Sequence, residues 1–521
     1  MREDPVIIVG AGVGGLCAAI ALAARGVPVE VYERAAGPGG KIRQVNIGGR
    51  MLDAGPTVFT MRWIFDALFD EAGEVFSRCV PLTRAEILAR HAWDGHSGTF
   101  DLHADPARTE AAVAAFAGNE ELRRFREFRA ASRELFDMMN PRFIEAAQAG
   151  PIEMTRRFPP TMIARLMATN PTATLWSRLG RYFSDPRLRQ LYARYATYCG
   201  SSPFQAPGLL ALVAHVEQEG VWLIDGGMHT LARSLVALGE ALGISYHFET
   251  QITEIEADRG VASGIRLEDG NRRSASAVIF NGDVNALATG KLGPSAIKAV
   301  DGVRYGSRSL SALVWSMVAR TDGLPLSRHT VFFAKEYERE FQEIFGQHRL
   351  PRTPTVYVCA QDRDAADRSF TNRSERLHIH INAPAIGDQR PFSAQEIDTC
   401  TEQSIALMSR AGLRLLHDPH MTRITTPTDF EALFPATGGA LYGRANHGSM
   451  ASFQRPGSRT RLPGLYVAGG SAHPGPGVPM AAMSGRLAAA ALLEDLTQTS
   501  AGRVLTRRSR RADTSGGTLT A

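Results

Sequence analysis

Val6-Ile7-Ile8-Val9 running straight into Gly10-Ala11-Gly12-Val13-Gly14-Gly15 is the stretch that decides the fold class. Four apolar, mostly β-branched residues have the length of a buried parallel strand, and the glycines turn it at once. In this GxGxxG pattern Gly10 allows the tight turn, Gly12 lets backbone approach a pyrophosphate, and Gly15 lets the next helix pack close to the strand. The helix N-terminus then faces the phosphates.

Outward from the glycines, Leu16, Ala19, Ile20 and Ala23 recur at helical spacing, Gly26 is placed to cap the helix, and Pro28 stops it before a second strand over 29–32. Glu33 closes that strand roughly 20 residues beyond the glycines, where a carboxylate accepts hydrogen bonds from ribose hydroxyls and repels a 2′-phosphate. Strand, glycine turn, helix, strand and acid together read as a dinucleotide-binding βαβ unit. The unit alone does not choose between FAD and NAD.

The residues just beyond Glu33 make that choice. Arg34 and then Gly37-Pro38-Gly39-Gly40-Lys41 place a second glycine turn directly after the ribose-binding acid, for which a nicotinamide enzyme has no evident use. The run E-R-x3-P-G-G-K resembles the flavin-dependent desaturase and amine oxidase superfamily, and the resemblance implies FAD contacts at Arg34, Gly40 and Lys41. It further implies that Asp53-Ala54-Gly55-Pro56-Thr57 lines the cofactor through Gly55, Pro56 and Thr57, and that backbone around Gln251-Ile252 reads the adenine. Near the C-terminus, strand-like 464–468 runs into Gly469-Gly470, then His473-Pro474-Gly475-Pro476-Gly477-Val478-Pro479-Met480 and an Ala-rich helix to about residue 496. A helix start preceded by so many Gly and Pro residues suits an anion and a ring edge. The run H-P-G-x-G-x-P is similar to the carotenoid desaturase signature, which assigns Gly469, Gly470, Pro479 and Met480 to the flavin end. Where many related flavoproteins carry an acid after those glycines, this sequence has Gly470-Ser471, as the carotenoid branch does.

The chain has 521 residues with 44% hydrophobic content, which suggests two domains and a large core. Its net charge of +5 owes much to arginines 503, 507, 508, 510 and 511, and no basic, aromatic-interleaved module points to nucleic acid. The five cysteines are scattered without a CxxC, fitting a reducing compartment with neither zinc site nor disulfide frame. The cofactor strand begins within a few residues of Met1, so no signal peptide is expected, and no apolar run approaches the ~20 residues of a spanning helix. Any membrane contact is expected to be peripheral, on the cytoplasmic side.

The expected fold class is α/β: a discontinuous Rossmann-like FAD-binding domain over 1–104, 221–290 and 435–496. An α+β substrate domain, facing lipid, is inserted over 105–220 and 291–434, and a disordered basic tail covers 497–521. Helices are expected over 120–139 and 161–198, and strands over 309–319, 330–334, 355–360 and 377–382, forming a sheet over the flavin. His378 and His380 alternate with Leu377, Ile379 and Ile381 and are read as a solvated strand face, not as metal ligands; no metal is expected there or at His417 and His420.

Residues 52–62 and 89–93 resemble the hydroxyneurosporene desaturase branch, the 1-hydroxycarotenoid 3,4-desaturases. The resemblance implies FAD-dependent desaturation of an acyclic carotenoid at a lipid membrane surface, with oxygen or a quinone as electron acceptor left open. Two alternatives remain at this point: a phytoene desaturase or another flavin oxidase of a lipophilic substrate, and a prenyl-binding escort protein of the same fold. No proton acceptor is identified.

Overall fold

The computed structural model describes residues 4–96, 98–148, 153, 156–162, 172–363 and 373–513. Val6–Val9 is the middle strand of a five-stranded parallel sheet ordered Leu465–Val467, Ala277–Phe280, Val6–Val9, Val29–Tyr32, Ser245–His247. All four residues of this strand are buried: Val6 and Ile8 pack with Leu16, Ile20, Leu235 and Ala482 of helices on one face, and Ile7 and Val9 pack with Ile252, Ile255 and Ile265 of a β-meander on the other. The helix Val13–Ala23 lies against the last helix, Val478–Asp513, so closely that a Cβ on Gly485 would come within 2.0 Å of the Gly14 carbonyl oxygen. Residues 245–247 form the edge of this sheet, and a separate three-stranded meander follows over Ile252–Asp258, Val261–Leu267 and Arg272–Ser274. Its second turn closes at Asp269-Gly270, with the Gly270 amide donating to the Leu267 carbonyl at 3.0 Å.

The second sheet has eight strands. Along its main path the order is Leu413–Leu416, Ser311–Gly323, Glu375–Ala383, Val356–Ala360, His329–Phe333, Ile87–Trp93, Phe100–His103, with Thr422–Thr425 paired beside Ser311–Gly323. Leu377, Ile379 and Ile381 bury one face against Cys400, Leu407 and Met408 of the helix Ala394–Arg410. Period-2 alternation therefore turns His378, His380 and Asn382 to the opposite face. Ile87–Trp93 and Phe100–His103, from the first of the expected cofactor segments, pair into this sheet. A strand's choice of sheet is made by distant partners, here His329–Phe333, and leaves no local mark.

The helix Asn119–Met139 matches the expectation for 120–139. Over 161–198 the expected long helices are replaced by the short helices Leu175–Leu179 and Pro186–Ala193 and a 3₁₀ turn over Arg194–Cys199. Asp185-Pro186 starts a new helix there, the Asp185 carboxylate accepting from the Arg187 amide at 2.8 Å; residues 163–171 lie outside the described residues. The final helix runs to Asp513, past the end expected near 496 and into the segment read as disordered. Its arginines and leucine are good helix formers and no proline interrupts them. The rest of the expected tail, 514–521, lies outside the described residues.

Candidate functional site

A cavity of about 900 Å3 opens where the two sheets face each other. Its first wall lies at the carboxyl ends of the parallel strands, where ligands of open α/β sheets bind. Gly10, Gly12 and Gly14 line it, followed by Glu33 and Arg34, then Gly40 and Lys41. Gly10 adopts φ +102°, a conformation that side chains disfavour. Gly15 is the exception among the glycines. It lies behind the wall, where an added Cβ would stand 2.3 Å from the Gly10 carbonyl oxygen, so its work is helix-on-strand packing.

The helix over Val13–Ala23 begins at Gly12 with no side-chain cap, leaving its first amides unmatched at the cavity edge. Glu33 braces the same turn: its two carboxylate oxygens accept from the amides of Ala11 at 2.8 Å and Ala35 at 2.9 Å. Arg34 reaches the Leu433 carbonyl at the end of the helix Pro427–Leu433, tying the cofactor strand to the second domain. Lys41 is half-buried, donates to the Leu441 carbonyl at 2.6 Å, and sits 5.3 Å from the Phe434 ring centroid. Burial holds its pKa below the ordinary lysine value, and the nearby Asp283 carboxyl acts against that shift.

Gly55, Pro56 and Thr57 line the same cavity, as do Ile252, Gly469, Gly470, Pro479 and Met480. Pro479 and Met480 stand in the first turn of the last helix, so two helix N-termini converge on one space. Asp53 does not reach the cavity. Its buried carboxylate accepts from the amides of Met228 at 2.6 Å and His229 at 3.4 Å, capping the helix His229–Ala241 from a distant part of the chain.

Sequence reasoning assigned no role to Asn281, Asp283 or Arg455. Asn281 donates to the Gly10 carbonyl at 3.2 Å and packs under Gly14 and Gly469. One oxygen of Asp283 accepts from the Asn285 amide at 3.0 Å, while the other is enclosed with no partner. Burial raises the Asp283 pKa, with Lys41 opposing. Arg455, fully buried, donates to the carbonyls of Tyr442, Gly470 and Arg444 at 3.0, 3.1 and 2.6 Å and so fixes the second glycine turn. Burial lowers its pKa to about 10. The available signal was position: Asn281-Gly282-Asp283 ends a parallel strand.

The opposite wall is the cavity face of the eight-stranded sheet, with Thr355, Tyr357, His378, His380 and Asn382. The reading of the two histidines as a solvated face is corrected here. His378 is 3% exposed, both rings face the cavity, and burial lowers their pKa values to about 3 and about 4, so both are neutral near pH 7. The sequence spacing put them on one face and could not say what covered it. Tyr357 shares hydrogen bonds of 2.7 Å with the Thr57 hydroxyl and with His329 Nδ1, linking the two walls. Among the described residues, no group of three or more His, Cys, Asp or Glu side chains could hold a metal ion.

The sequence profile of the flavin containing amine oxidoreductases matches residues 13–369. The chain belongs to that family. Flavin containing amine oxidoreductases use the nucleotide that the glycine turns suggested, and FAD is the cofactor. The chain is 49% identical over its full length to a hydroxyneurosporene desaturase of Rubrivivax gelatinosus, covering 98% of that protein. It is 41% identical over 95% of its length to one of Cereibacter sphaeroides, covering 98% of it, and 27% identical over 95% to a phytoene desaturase of Fusarium fujikuroi, covering 90% of it. The same fold occurs in an oxidoreductase from Methanosarcina mazei, with a TM-score of 0.58 at 17% identity over 94% of this chain and 100% of the other. A putrescine oxidase variant gives 0.58 at 15% identity over 95% and 99%. The expected resemblance to carotenoid desaturases therefore holds, and the chain is a flavin-dependent oxidoreductase.

The residues present suit FAD on structural grounds of their own. The uncapped start of the helix Val13–Ala23 and the start of the last helix at Val478 offer amides to a pyrophosphate and a ring edge, and the unpartnered oxygen of Asp283 can accept from a hydroxyl.

Proposed function

We propose that this flavoenzyme desaturates an acyclic carotenoid, introducing the 3,4 double bond of a 1-hydroxyneurosporene-type substrate. The observation that carries the reading is the 49% identity over the whole chain to a hydroxyneurosporene desaturase. Bound FAD supplies a hydride acceptor for oxidation of the C–C bond. The chain's own part is binding, orientation and exclusion of water.

In this reading Gly10, Gly12 and Gly14 carry the pyrophosphate, and Glu33 accepts from the ribose while holding the turn. Asp283 takes a ribityl hydroxyl in the place of the acid missing after Gly470. Gly469, Gly470, Pro479 and Met480 border the ring, and Gly55, Pro56 and Thr57 hold it against the sheet. Leu209, Leu210, Leu212, Val213 and Val216 give the remaining cavity an apolar lining suited to a polyene.

A carotenoid is dissolved in lipid, so the protein works at a membrane surface. No helix among the described residues is long and apolar enough to cross a membrane. Attachment is peripheral in this reading, through the basic C-terminal segment. Electrons leave to oxygen or to a membrane quinone.

The test uses FAD-loaded protein in liposomes with phytoene, neurosporene and 1-hydroxyneurosporene, reading products by their lengthened chromophores. A buried polar partner left unmatched by a hydrocarbon end costs about 1–3 kcal/mol, so the hydroxylated substrate is expected to be favoured roughly 5 to 150-fold in kcat/KM. Efficient conversion of phytoene, with none of the hydroxylated substrate, would overturn the 3,4-desaturase reading.

A further inference from the structure

In 1-hydroxyneurosporene a single carbon separates the hydroxyl-bearing carbon from the 3,4 bond. The group that receives the hydroxyl therefore belongs to the wall that meets the reacting bond, beside the Thr57–Tyr357 contact. His380 is the neighbour of Tyr357 in the sheet register.

Two polar clusters face the apolar cavity, and they differ in what they have left to offer. Around Glu217 the groups satisfy one another: its carboxylate accepts from the hydroxyls of Tyr195 and Tyr198, the latter at 2.9 Å. On the strand Glu375–Ala383 the hydrogen bonds end in open positions. Glu340, fully buried behind the sheet, accepts from the Thr355 amide at 3.0 Å, the Thr355 hydroxyl at 2.6 Å and Asn382 Nδ2 at 2.8 Å. With its nitrogen given to Glu340, Asn382 keeps only its oxygen to offer His380, its neighbour two residues away on the same face of the strand. An amide oxygen accepts only, so the His380 nitrogen facing it carries the ring proton and the other nitrogen is a bare acceptor. The His378 ring is stacked against His380 with centroids 6.3 Å apart, and its Nδ1 has no partner. A neutral imidazole always has one N–H to give.

We infer that His380 and His378 form the receptor for the substrate's tertiary hydroxyl, His380 accepting its proton in a hydrogen bond and His378 donating to its oxygen, with Asn382 and Glu340 as positioning residues. An alcohol is both donor and acceptor, and the pair matches both capacities. A hydrocarbon end would leave two buried nitrogens unmatched, which supplies the discrimination. This inference rests on the proposed reading of the substrate.

The experiment measures binding without turnover. Full-length, FAD-loaded protein is reduced beforehand with dithionite, so that it cannot oxidise substrate, and titrated in detergent with 1-hydroxyneurosporene and neurosporene. Dissociation constants are read from the shift of carotenoid absorption. Wild type should bind the hydroxylated carotenoid about 5 to 150-fold tighter. His380→Phe should bring that ratio to within about threefold of unity through loss of hydroxylated binding alone, with neurosporene binding held or improved. Asn382→Leu, which leaves His380 in place but frees its tautomer, should give an intermediate ratio and unchanged neurosporene binding. If His380→Phe loses its flavin or unfolds, the Asn382→Leu and His378→Phe ratios decide. A wild-type preference that survives in the variants overturns the receptor and leaves the 3,4-desaturase reading standing. No wild-type preference at all overturns the receptor together with the hydroxylated-substrate reading.

Discussion

Across the cavity from each other, the turn over Gly10–Gly15 and the strand Glu375–Ala383 offer polar groups of different origin. At the turn they are mainly main-chain amides, exposed because glycine carries nothing to cover them and because the helix beginning there lacks a capping side chain. On the strand they are side chains, His378, His380 and Asn382, the last held from behind by Glu340. A backbone wall suits a cofactor used by every member of a large family, since its hydrogen bonds are fixed by chain geometry. A side-chain wall can change its chemistry one residue at a time, which is what substrate choice within a family requires.

That contrast can be broken at the turn first. Gly15→Ala places a methyl carbon 2.3 Å from the Gly10 carbonyl oxygen and 3.0 Å from Asn281 Nδ2. The expected cost is about 3 kcal/mol or more of stability, with loss of bound flavin. Flavin content after gel filtration and thermal melting check it, and normal flavin content would refute the packing role of Gly15.

On the other wall, ionisation should matter where it cannot matter at the glycines. Burial raises Glu340 from 4.5 to about 7. The folded state therefore holds a proton that the unfolded chain releases, and stability should fall as pH rises through that interval, by about 3 kcal/mol in all. Above pH 7 no further loss from this group is expected. Glu340→Gln should flatten the slope in denaturant melts across the interval, and an unchanged slope would mean that other groups set it.

Glu33 stands between the two cases, a side chain that serves the backbone wall. Replacing it with Ala removes acceptors from the Ala11 and Ala35 amides as well as from the ribose. FAD affinity should fall about tenfold or more, equivalent to roughly 1.5–3 kcal/mol, in titrations of apoprotein. Unchanged affinity would remove Glu33 from the site.

The smallest effect is expected far from both walls. Deleting 497–521 removes arginines that contribute at most about 1 kcal/mol each at an anionic bilayer, so liposome binding should weaken and lose part of its salt dependence. Intact binding would show that this segment is not the anchor.

The same contrast explains what could be read from the sequence. Strand, glycine spacing and acid at 6–33 are local, and each residue's role is set by neighbours within a turn or two. The remaining cofactor-side segments, such as 55–57 and 469–480, were legible through their resemblance to a family. The substrate wall was only half legible. Alternation placed His378 and His380 on one face, but whether water or a cavity lies over that face depends on how two domains meet. The role of Asp53 as a helix cap left no local mark, because its partner amides at 228 and 229 come close only in the folded chain. The place of Ile87–Trp93 in the eight-stranded sheet was hidden for the same reason, since its partner strand is His329–Phe333.

The reductive half-reaction tests the central claim most directly. Oxidised, FAD-loaded protein is mixed without oxygen or quinone with one carotenoid at a time, and flavin absorbance is followed together with that of the polyene. With 1-hydroxyneurosporene the flavin should bleach in step with a polyene chromophore lengthened by the new 3,4 double bond. With phytoene it should stay oxidised. Bleaching by phytoene and none by the hydroxylated carotenoid would contradict the account.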